Sequence, residues 1–94
     1  MRDARNSAEI IALNCLAWLI AHDELRDVFT GATGASEEDL RSGANDPAFL
    51  GAVLDFVMMN DAWVLDFCGQ ASLPGEALMQ ARHALPGGQE AHWT

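Results

Sequence analysis

Ninety-four residues, half of them hydrophobic and a fifth charged, suffice for one domain that buries roughly 60 to 65% of the surface its unfolded chain exposes. They exclude a disordered acidic tail despite the formal charge of −9. Five arginines and no lysine stand against fourteen carboxylates, which argues against nucleic acid or an anionic membrane as partner, since both are held by cations.

Helix signals are dense from the start. Ser7 is a candidate cap for a helix running to about Ala21, and residues 1 to 6 read as a flexible tail. The run "IIALNCLAWLIA" has the length of a signal-peptide core. However, Asp3 and Glu9 offset Arg2 and Arg5, Asn14 interrupts the run, and Leu19-Ile20-Ala21 makes a poor cleavage site. It is also too short to span a bilayer, so it reads as a buried helix that is apolar nearly all round.

Asp23 can cap a second, shorter helix ending near Gly31. "SEED" (Ser36 to Asp39) is a capping box with Asp in place of Glu, opening a short helix that Gly43 weakens. Asp46 followed by Pro47 combines a cap with a first-turn proline and starts a helix to about Met59. Phe49, Leu50, Val53, Leu54, Val57 and Met58 fill an arc of about 180° on it. Continuing that helix would turn Asn60 and Asp61 into the core, so a break with Asp61 as the next cap is expected. In the new helix Trp63, Phe67 and Cys68 face inward, Asp66 points to solvent, and Gly69 is the stop. A last helix begins near Pro74 and ends before Pro86-Gly87-Gly88, leaving residues 87 to 94 as a second tail around a single domain at 7 to 86.

The chain resembles itself at an offset of 38 residues, with six identities in twenty-five positions between the segments starting at Leu16 and Leu54. The pairs include Leu16 with Leu54, Asp23 with Asp61, Phe29 with Phe67 and Leu40 with Leu78. The expected fold is therefore all-α, a compact bundle of five to six helices. Whether it consists of two pseudo-repeated halves, about 10–44 and 48–82, stays open at this point.

No constellation carries chemistry convincingly. Cys15 and Cys68 lie in apolar runs and read as buried, reduced core thiols. Asp66 is about 160° from Cys68 around its helix and cannot activate it. His22-Asp23 has the look of a metal dyad but lacks companion ligands; His83 reads as solvated and His92 lies in the tail. No catalytic residue, metal ligand or cofactor is expected. What remains is apolar surface: Met59 and Met79 fall on polar sides of their helices and Trp93 sits in the tail, so these three are the candidate interaction residues.

The segments "AEIIALNCLAWLIAHDELRDVFTGATGASEEDLR" and "DPAFLGAVLDFVMMNDAWVLDFCGQASLPGEALMQARHAL" resemble the domain of unknown function 3572 family, found mainly in alpha-class proteobacteria. The resemblance covers about residues 8 to 85 and is most specific in "DPAFLGAVLDF" and "LPGEALMQAR". It implies a small cytoplasmic protein and supplies no activity. The terminal "GGQEAHWT" departs from the family pattern, which weakens Trp93 as a functional feature.

Composition, pattern and resemblance together point to a small, acidic, bacterial, cytoplasmic helical module for protein–protein interaction, an adaptor or a homodimer, without catalysis. The alternative is a small-molecule or lipid-binding helical protein with a cavity between its halves.

Overall fold

The computed structural model describes residues 4–85, with side chains from residue 7 onward. Six α-helices follow one another: α1 (Ala4–Ala21), α2 (Asp23–Thr33), α3 (Glu37–Ser42), α4 (Pro47–Met58), α5 (Asp61–Ala71) and α6 (Ala77–Ala84). A 3₁₀ turn (Gly43–Asn45) joins α3 to α4, and no strand occurs among the described residues. The all-α bundle expected from the sequence is the fold observed.

Three of the helix starts follow local side-chain chemistry. Ser36 and Asp39 close the capping box reciprocally: the Asp39 amide donates to Ser36 Oγ at 3.1 Å and the Ser36 amide donates to Asp39 Oδ2 at 3.0 Å. Asp46 accepts the Ala48 amide at 3.1 Å ahead of Pro47. Asn60 accepts the Ala62 amide at 2.9 Å, so Asn60 caps α5 and Asp61 is its first helical residue. The expected cap was Asp61, one residue too late. Both side chains are competent, but with Asn60 at the cap the carboxylate of Asp61 still meets the positive end of the helix dipole.

The same one-residue shift occurs at α2, where His22 takes the cap position without a side-chain bond to the helix and Asp23 follows it. Ser7 does not cap α1, which begins at Ala4; residues 1–3 and 86–94 of the expected tails lie outside the described residues.

The helix stops also lie beyond the expected glycines. Gly31 and Gly69 are both inside their helices; α2 ends at Gly34 (φ 78°) and α5 at Ser72 (φ 59°), both in the left-handed region. After each stop an apolar residue, Ala35 or Leu73, packs against the core. The Leu73 amide donates to the Cys68 carbonyl at 2.9 Å, the long closing bond of a Schellman turn.

The two left-handed stops make the internal similarity structural. At the offset of 38 residues, α2 overlays α5 from first residue to last, His22 falls on Asn60, Gly34 on Ser72, and Ala35 on Leu73. Ring contacts obey the same rule. Phe29 packs edge-on to Phe56 at 5.1 Å, and their counterparts Phe67 and Trp18 pack edge-on at 5.8 Å. Each half thus lends a phenylalanine to the other half's long helix. The correspondence breaks at the third helix, because α6 packs extensively on both α1 and α4 while α3 has no comparable contact with either.

The core lies where α1, α4 and α6 meet, around Ala12, Cys15, Leu19, Val53, Leu54, Val57 and Leu78, each with essentially no exposed surface. Gly51 admits the Arg82 guanidinium close to the α4 backbone, since a Cβ there would stand 2.7 Å from Nη1. Arg82 then reaches Asp55, with Nε donating to Oδ1 at 2.8 Å. No single described helix is long and apolar enough to cross a membrane; α4 and α5, which together have the length and composition, are bent by 114° at their junction.

Candidate functional site

Met59 and Met79, two of the candidate interaction residues, are 80% and 53% exposed. Met59 caps the C-terminus of α4, and Met79 lies on α6. Trp93 lies outside the described residues.

The more continuous apolar surface belongs to α1. Its inner side buries Ala8, Ala12, Cys15, Leu16, Trp18 and Leu19. Ile10, Leu13, Asn14, Ala17 and Ala21 recur on the opposite side at helical spacing and are exposed, Ile10 to 51%. Leu65 on α5 is a further exposed apolar residue at 69%, and no pattern in the sequence singled it out.

Asp66 is half-exposed, yet it is not simply solvated as the helical wheel suggested. Its Oδ2 accepts the Trp18 indole N–H at 3.1 Å and stands 3.8 Å from His22 Nε2. His22 donates through Nδ1 to the Trp18 carbonyl at 2.7 Å, satisfying an orphan acceptor at the end of α1. Its ring also lies 4.8 Å from the Trp18 ring. The cluster ties α5 to the α1–α2 corner. His22 therefore faces Asp66 rather than Asp23, which pairs with Arg26 at 3.3 Å. The 48-residue separation between Trp18 and Asp66 is why no local pattern announced it.

Cys15 and Cys68 are free and buried. Burial pushes the Cys15 thiol up to about 12, with the nearby Cys68 acting in the same direction, and burial raises Cys68 as well. Both shifts favour the protonated, unreactive form. Among the described residues no three His, Cys, Asp or Glu side chains converge as a metal site would require.

A cavity of about 320 Å³ opens where α2, α3 and the start of α4 meet, between the two halves. Phe29, fully buried, and Phe49 lie along it in edge-to-face contact at 5.8 Å and 86°. Asp39 and Asp46 stand in its wall. Gly43 also lines it, and a Cβ at that position would collide with the Phe49 ring. No arginine or histidine lines this cavity. Its residues come from three elements between positions 29 and 52, so the sequence offered the caps but not their convergence.

No curated protein and no solved structure matches the chain. The model of one family, described as "Protein of unknown function (DUF3572)", matches residues 5–88, which take in the six helices of the described residues but for the first residue of α1. By that match the chain belongs to the DUF3572 family.

Proposed function

We propose that this chain is a non-catalytic helical interaction module of the bacterial cytoplasm that self-associates through the outer face of α1. The supporting observation is the exposed, uncharged stripe of Ile10, Leu13, Asn14, Ala17 and Ala21 on a chain of formal charge −9. Two such chains repel over most of their surface, and an uncharged stripe is where they can approach. In a two-fold pairing each residue of the stripe meets the same patch of the other copy, and Asn14 provides an amide that can satisfy its own symmetry mate.

Area sets the expected strength. α1 is about 27 Å long, and a single helix face covers well under the roughly 800 Å² per partner of a stable interface. The association is therefore weak, and Met59 and Met79 are the surfaces available to extend it or to receive another protein. Sedimentation velocity across about 10 to 500 µM should show the mass rising toward a dimer, and Leu13→Glu should abolish the rise. A wild-type chain that stays monomeric throughout would remove this reading.

A second reading, a small-molecule or lipid-binding protein, is favoured by the cavity of about 320 Å³, which reaches the lower end of the size range of ligand sites.

A further inference from the structure

The corner where α1 turns into α2 meets α5 through Trp18, His22 and Asp66, and one partner in this cluster fixes the roles of the others. The Trp18 carbonyl can only accept, so its 2.7 Å contact with His22 Nδ1 places a proton on that nitrogen. A neutral His22 then turns its bare nitrogen, Nε2, toward Asp66 Oδ2 at 3.8 Å, one acceptor facing another. Oδ2 meanwhile receives the Trp18 indole N–H at 3.1 Å and the Gln70 side-chain amide at 3.5 Å. A proton on Nε2 reverses the contact, because a donor now faces the carboxylate. The imidazolium also stands just past the last residue of α1, at the negative end of that helix.

We infer that His22 is a proton-operated clasp, in which protonation of Nε2 draws in Asp66 and fastens α5 to the α1–α2 corner. It rests on neither the self-association nor the ligand-binding reading. α5 packs more on α4 than on α1, and Trp18 gives it both a ring contact to Phe67, at 5.8 Å, and the indole bond to Asp66. The other charged groups around His22 are already occupied or distant. On α2, Asp23 and Arg26 pair with each other at 3.3 Å, and Arg26 also donates to the Ile20 carbonyl at 3.5 Å. On α1 the charged residue nearest in sequence is Glu9, more than about three turns away. Asp66 is thus the carboxylate that answers the proton.

The test is amide hydrogen exchange of the full chain at about pH 5.5 and about pH 7.5, each rate divided by that of an unstructured chain at the same pH. Both side chains of the pair are partly exposed, so solvent keeps the gain small; α5 amides should be about threefold better protected at the lower pH. In a nitrogen NMR titration the Trp18 indole should move with the same midpoint as the His22 ring. His22→Gln keeps a donor for the Trp18 carbonyl but stays neutral, and Asp66→Asn keeps an acceptor for the indole but loses the charge. Each should bring the protection ratio close to one, while His83→Gln, at an exposed position of α6, should leave it unchanged.

A wild-type ratio near one, or better protection at the higher pH, would overturn the inference. A ratio that survives His22→Gln would assign the response to other groups and overturn it as well. Loss of the ratio in His22→Gln but not in Asp66→Asn would place the effect at the end of α1 alone and remove the link to α5. Should His22→Gln fail to fold, Asp66→Asn and the shared midpoint of the two rings decide the matter.

Discussion

Cys15 shows how one buried side chain sets a pH limit on the fold. Burial, with the nearby Cys68 acting in the same direction, pushes its folded-state thiol up to about 12 from the ordinary 9.0. Above pH 9 the unfolded chain gives up this proton while the folded chain keeps it, so the unfolded state is favoured increasingly. The contribution of Cys15 to stability is thus full below pH 9 and falls by about 1.4 kcal/mol per pH unit from there to the folded value. Urea unfolding at about pH 7.5 and about pH 10 should show this loss, and Cys15→Ala should flatten the slope even though it lowers stability at both values. The slope will not vanish, because Cys68 is shifted in the same direction.

Asp66 works at the same scale through one bond. Trp18 is only 7% exposed, and Asp66 is the acceptor for its indole N–H. Removing the acceptor with Asp66→Ala should cost about 1 kcal/mol, at the low end for an unsatisfied donor because Asp66 itself is half-exposed. Asp66→Asn keeps an acceptor and should recover most of that loss in the same denaturation experiment. Equal losses from both would mean that charge, through His22, matters more than the indole bond.

At the scale of elements, the junctions decide where helices stop, and they also separate what local sequence specifies from what it does not. The α3 start and the Asp46-Pro47 start were legible because every participating group lies within three residues. The α4–α5 break was legible in place but not in its cap, since Asn60 and Asp61 are adjacent and equally suited. Accordingly Asn60→Ala should cost about 1 kcal/mol, while Asp61→Ala loses only a dipole interaction of a few tenths. The α5 stop was misplaced at Gly69 because glycine is the usual left-handed residue, whereas the position is chosen by Leu73 returning to the core after Ser72. Ser72→Gly removes the cost of a side chain at φ 59°, against a larger unfolded-state entropy, and should raise stability by about 0.5 kcal/mol. The residues that line the cavity and the Trp18–Asp66 link were not legible, because each requires knowing which helices meet.

For the whole molecule, the charge of −9 sets how the proposed self-association responds to salt. Self-association through the α1 stripe brings two like-charged bodies together, so screening helps it; the apolar contact itself is not weakened by simple salt. Between about 20 mM and about 500 mM sodium chloride the Debye length falls from roughly 20 Å to roughly 4 Å. That range is long enough at the start to span much of a molecule measuring 36 × 29 × 26 Å, and too short at the end to reach across it. The dimer constant from sedimentation should therefore tighten by several-fold over this range. A dimer that dissociates with salt would place charged residues, not the α1 stripe, at the interface.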